Sequence, residues 1–177
     1  MRHPEGGAVN QTVWTRLDLV ARSLFPFALT LLLVMISIVP LRVPDLSPIV
    51  PSLGIIAVYY WVIYRPDLMP GWAVFLLGLI QDLLGGGPLG IYALVFLLLV
   101  AAVSAQRRFL VTGSFAFVWA VFLPVAAATF FLIWLLYCLN LDMLIDARSV
   151  TFQYLTTVAV YPCLAWIFAQ AQRAVLR

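Results

Sequence analysis

One carboxylate stands inside an apolar run of this chain: Asp82, in the stretch Gly78-Leu79-Ile80-Gln81-Asp82-Leu83-Leu84-Gly85-Gly86-Gly87-Pro88-Leu89-Gly90. A carboxylate at membrane depth costs about 2.5 to 3.5 kcal/mol, so neighbouring groups must hold it there. Three kinds of chemistry fit its surroundings. Gly85, Gly86 and Gly87 offer backbone N–H groups that a preceding Asp can accept, which makes Asp82 a turn or capping residue. Pro88 then suits the first position of the next helix, where its missing N–H costs nothing. Gly78 and Gln81 allow a neighbouring helix to approach closely and bond across. The second reading is an ion pair with Arg42 or Arg148. The third is a ligand or partner site built on Asp82, Gly78, Gln81, Gly85, Gly86, Gly87, Pro88 and Gly90.

Catalysis has little material. General acid–base work needs two titratable groups facing one another, and Asp82 has no carboxylate or histidine near it in the apolar segments. Asp142 and Asp146 are four residues apart but read as a solvated pair in a loop. His3 is the single histidine and lies in a polar tail. Cys138 and Cys163 have no metal-ligand or redox spacing and read as small buried hydrophobes. No phosphate-cradling glycine loop ends in Lys. Neither a metal nor a cofactor is expected. Transport is harder to set aside, because glycine-interrupted helices can line a substrate site. Thr129, Gln153, Thr156 and Thr157 are its polar candidates, although threonines in membrane helices commonly bond their own backbone.

These residues need a scaffold, and composition says which. Of 177 residues, 65% are hydrophobic and 10% charged, with a mean hydropathy of +1.09. Soluble domains carry about 25% charged residues, so the chain reads as an all-α, polytopic membrane protein. The formal charge of +3 comes without a basic cluster larger than Arg107-Arg108, which excludes a nucleic-acid surface. Six apolar segments are expected as spans: 24–40, 51–64, 68–84, 89–104, 115–139 and 150–169. Several are short for a hydrocarbon core of about 30 Å. Tyr59, Tyr60, Trp61 and Tyr64 are expected at a membrane interface as an aromatic belt. Pro124 is expected to kink the fifth segment.

All ten basic residues are Arg. With six spans, Arg2, Arg16, Arg22, Arg65, Arg107, Arg108, Arg173 and Arg177 fall on one side and Arg42 and Arg148 on the other, which orients both termini to the cytoplasm. The first apolar run lacks a cleavage pattern and is expected to stay as an anchor. The expected organisation is a tail over 1–23 with a short interfacial amphipathic helix, a membrane domain over 24–172, and a cytoplasmic C-terminal tail over 173–177. Ala101 and Ala105, and Ala165 and Ala169, sit at the four-residue spacing that lets helices pack closely, within the bundle or against a partner's helix.

Residues 59 to 90 carry the most specific pattern: Tyr59-Tyr60-Trp61, Arg65-Pro66, and Gly78-Leu79-x-x-Asp82-Leu83-Leu84-x-Gly86 with Leu89-Gly90. With six segments over this length, the chain resembles the MreD family of rod shape-determining membrane proteins of bacteria. The resemblance implies a non-enzymatic part of the elongation machinery in the inner membrane. The partners it implies are an MreC-like single-span protein, a RodA-like glycosyltransferase, a class B penicillin-binding transpeptidase and MreB at the cytoplasmic face, besides membrane lipid. It also implies the six-helix fold of the substrate-binding subunits of energy-coupling-factor transporters. That fold keeps a small-molecule-binding subunit of a vitamin-type transporter as the alternative.

Overall fold

A computed structural model of the chain describes residues 25–37, 50–141 and 146–175. Every regular element among them is helical. Helix α1 covers Phe25–Ser37, α2 Leu53–Tyr64, α3 Gly71–Gly85, α4 Ile91–Thr112, α5 Phe115–Leu141 and α6 Ala147–Val175, with a 3-10 turn at Pro66–Leu68 between α2 and α3. Each expected apolar segment has one helix. Three of them, α4, α5 and α6, are long and apolar enough to cross a membrane, whereas α1, α2 and α3 are shorter apolar helices. The interfacial helix expected before residue 24 lies outside the described residues.

Helix α2 explains the shortness. Its 12 residues rise only about 18 Å, and all positions from Gly54 to Ile63 are buried. A helix that is apolar all round belongs in an interior, and here the other five helices enclose it. A Cβ added at Gly54 would lie 2.9 Å from Gln81 of α3, 3.1 Å from Val34 of α1 and 3.2 Å from Phe96 of α4. The Tyr59 ring packs on Phe122 of α5 at 4.9 Å and on Tyr161 of α6 at 5.9 Å. The aromatic belt expected at residues 59–61 is therefore corrected. Tyr59 and Trp61 are fully buried and Tyr60 nearly so, and only Tyr64 is partly exposed.

The ends of α2 are tied by side chains from other helices. At the start, Ser37 Oγ accepts from Leu53 N at 3.2 Å and Thr157 Oγ1 accepts from Ser52 N at 3.0 Å. At the finish, Arg107 Nε donates to Ile63 O at 2.9 Å. Thr157 also donates to Gln153 O in its own helix, and Thr129 to Val125 O, the back-bonding expected of threonine in an apolar helix. These contacts set Arg65, Arg107, Arg108 and Arg173 at one end of the bundle, since Tyr60 Oη donates to Gln172 Oε1 at 3.2 Å. Asp146 and Arg148 lie at the other.

Two helices contain an internal proline, Pro124 in α5 and Pro162 in α6. Pro162 has no N–H to give Val158 O, four residues back. The Trp119 indole N–H of α5 donates to that carbonyl instead, at 3.3 Å. The outer surface is rich in large apolar groups, with Trp72, Phe131, Leu139 and Trp166 each at least 60% exposed, as a lipid-facing surface requires. Cys163 lies on that surface and Cys138 is half-buried, so neither is the buried hydrophobe expected. Ala101 and Ala105 also face outward, whereas Ala165 is buried and Ala169 half-buried.

Candidate functional site

The α3–α4 hairpin builds the site around Asp82. The side chain is 1% exposed. Its Oδ2 accepts from Gly90 N at 2.9 Å and from Ala93 N at 3.3 Å, while Oδ1 accepts from Tyr92 N at 3.0 Å. The first four N–H groups of any α-helix lack intrahelical partners. Asp82 supplies them across the turn, so a residue in the last turn of α3 caps the start of α4. Its negative charge also faces the positive end of the α4 dipole. Between the three sequence readings, the hydrogen bonds realise the capping one. The expected donors are replaced, however: the carboxylate holds Gly90, Tyr92 and Ala93 rather than Gly85, Gly86 and Gly87. All these partners are backbone groups, not Arg148, and Arg42 lies outside the described residues.

The surrounding residues show why this geometry closes. Gly78 is one helical turn before Asp82 and faces the same helix. A Cβ there would collide with Ala93 Cα and come within 2.6 Å of Ala93 N, so only glycine lets α3 lie against the α4 backbone. Gly86 ends α3 with φ 68° and Gly90 precedes α4 with φ 98°, left-handed positions that favour glycine. Pro88 is not the first residue of α4, as expected. The positive φ at Gly90 cannot be helical, so the helix starts at Ile91 and Pro88 stays within the turn. Gly87 leaves room for the Tyr137 hydroxyl, which a side chain would displace. Gly85 has nothing within 4 Å of an added Cβ and serves the turn only as part of α3.

Gln81 turns away from this clasp toward α2. It is 7% exposed, and its Oε1 has no hydrogen-bond partner. Beside it lies a polar cavity of about 260 Å³. Ser52, whose Oγ is also buried without a partner, lines it with Gln81, Tyr92, Tyr137 and Gln153. Sequence reasoning picked out Gln81 and Gln153 separately but missed Ser52, Tyr92 and Tyr137. Their signal is weak, because a lone hydroxyl in an apolar segment does not announce a shared cavity. Among the described residues no cluster has the composition of a metal site.

Substitutions separate these roles. Asp82→Ala leaves three N–H groups without an acceptor and is expected to destabilise the fold by at least about 2 kcal/mol. Gly78→Ala is expected to do comparable damage through the backbone collision. Gly85→Ala is expected to be neutral or stabilising by about 0.5 kcal/mol. Thermal unfolding of the three purified variants in one detergent checks the order, and equal melting of Asp82→Ala and the parent would remove the clasp from the account of stability.

No curated protein and no solved structure matches the chain. A family model does, that of the rod shape-determining protein MreD, over residues 19–172. This match takes in α1 to α5, all but the last three residues of α6 and the whole Gly78–Gly90 segment, and the chain belongs to the MreD family.

Proposed function

We propose that the chain is a non-enzymatic membrane scaffold of the bacterial rod complex. In this reading it governs cell shape and side-wall peptidoglycan synthesis through contacts with an MreC-like single-span protein, a RodA-like glycosyltransferase and the associated class B transpeptidase, and with MreB at the cytoplasmic face. The observation that carries it is the Asp82 clasp. A carboxylate committed to three backbone N–H groups is an anchor rather than a proton carrier. It fixes a turn on which Leu83 and Leu89 stand 68% and 65% exposed. Apolar side chains on a rigid support lose little entropy on docking. Replacing both Leu83 and Leu89 by Ala is expected to leave the melting temperature unchanged and to lower recovery of the MreC-like partner about tenfold in a detergent pull-down. Full recovery would move the docking surface away from this turn.

The arginine asymmetry supports an inner-membrane orientation with both termini cytoplasmic and six membrane-embedded helices. In a chain lacking Cys138 and Cys163, Asp67→Cys is expected to resist an impermeant maleimide in intact cells, and Asp146→Cys to react. The reverse pattern would invert the orientation.

The polar cavity favours a second reading, a small-molecule-binding subunit with the fold of the energy-coupling-factor transporters' substrate-binding subunits. Buried groups without partners, Gln81 Oε1 and Ser52 Oγ, are what a polar ligand would satisfy. Native mass spectrometry of the purified protein decides it. A stoichiometric vitamin-sized adduct that Gln81→Leu abolishes supports the transporter reading, and its absence supports the scaffold.

A further inference from the structure

The Arg-rich end of the bundle holds a second cleft, of about 410 Å³, between α2, the start of α5 and the last turns of α6. Its chemistry is unlike that of the polar cavity. Arg173 and the tyrosines Tyr60, Tyr64 and Tyr161 line it, with Phe115, Ala165 and Ala169 as its apolar part, and none of the lining residues is acidic.

Tyr161 is the informative group. It is 1% exposed, stacked at 4.4 Å on Phe122 and at 6.4 Å on Phe115, the first residue of α5. Yet its hydroxyl makes no hydrogen bond with any described residue. The ring is buried while the residue lines the cleft, so the unused hydroxyl is open to a ligand there. Tyr64 likewise has no described partner for its hydroxyl, whereas Tyr60 already donates to Gln172. The cleft therefore presents one guanidinium and two unused O–H donors spread along it, Tyr161 lying 12 residues before Arg173 on α6, a set that matches an anion whose body carries further acceptor oxygens.

We propose that this cleft binds the phosphate head of one anionic phospholipid, with its acyl chain running along the apolar wall of α6. The apolar part fits this occupant. Ala165 and Ala169 are small and leave a groove that continues from Arg173 toward the bundle's middle, about 12 Å along the helix at its rise per residue. An acidic peptide from a soluble partner would leave that wall uncovered. Basic sites between membrane helices at the arginine-rich face recognise anionic lipid heads by the same physics.

The test uses the full chain in nanodiscs of phosphatidylcholine mixed with phosphatidylglycerol, then native mass spectrometry of the released protein. One phosphatidylglycerol is expected to persist under activation that strips phosphatidylcholine. Arg173→Gln is expected to lower its retention about tenfold, the loss of one charge-assisted contact. Tyr161→Phe, which keeps the ring stack, is expected to lower it severalfold. Arg108→Gln, whose guanidinium lies over Phe109 instead, is expected to leave retention unchanged, and the circular dichroism of all three to match the parent. Equal retention of both lipids overturns the proposal. So does undiminished phosphatidylglycerol retention in the Arg173→Gln, Tyr161→Phe double variant, or a loss in Arg108→Gln as large as in Arg173→Gln.

Discussion

Unpaired backbone groups at helix ends are the constraint on which this bundle rests. In water they bond solvent; in an apolar interior each unmet group costs several kcal/mol. A long spanning helix carries its ends to the interface and avoids the problem. Helices α2 and α3 are too short to do so, and other helices supply what their neighbours lack. Asp82 of α3 meets three N–H groups of α4. Ser37 and Thr157 meet the first N–H groups of the α2 region, and Arg107 meets a carbonyl in its last turn. Trp119 does the same for the carbonyl that Pro162 leaves free. Nearly every described polar side chain with a long-range bond works on another helix's backbone.

This arrangement makes the helices interdependent. Gly78 and Asp82 are four residues apart, so they share one face of α3. Gly78 lets the α4 backbone approach, and that approach is what brings Gly90, Tyr92 and Ala93 within reach of the carboxylate. Loss of either residue undoes the other's contribution, and their energies should not add. The resulting turn is held by helix geometry on both sides. Leu83 and Leu89 thus project from a fixed base, which is the physical property a docking surface needs.

Much of this was legible in the sequence, for reasons that differ by residue. Asp82 stood out because charge is rare in apolar segments, and capping was one of three readings its surroundings allowed. Helix positions followed from hydropathy. The identity of the capped groups did not, because which N–H groups meet the carboxylate depends on how far α4 leans against Gly78, a tertiary fact. Tyr59, Tyr60 and Trp61 were misplaced at an interface for a related reason. Aromatic residues serve equally in a lipid belt and in a packed core, and composition does not tell these apart. The length of α2 was the better clue, since 12 residues are too few to reach both faces. Ser52 carried only a weak sequence signal; its significance is a buried hydroxyl without a partner, which only packing reveals.

The two ends of the bundle are chemically different, and the difference has a physical direction. At one end the single buried carboxylate among the described residues is saturated by backbone donors, and the adjoining cavity has no charged lining residue, so the α3–α4 turn presents a neutral surface with exposed leucines. At the other, four described arginines gather, one of which, Arg173, lines a cleft with tyrosines. A neutral apolar turn recognises by shape and is insensitive to salt, whereas an arginine-rich rim is drawn to anionic surface and screened by it. In the proposed reading, anionic lipid binds at the basic end of the embedded bundle and a partner docks at the clasped end. Lipid binding and docking are then separable within one small chain, because no residue of the Asp82 clasp lines the cleft at the arginine-rich end.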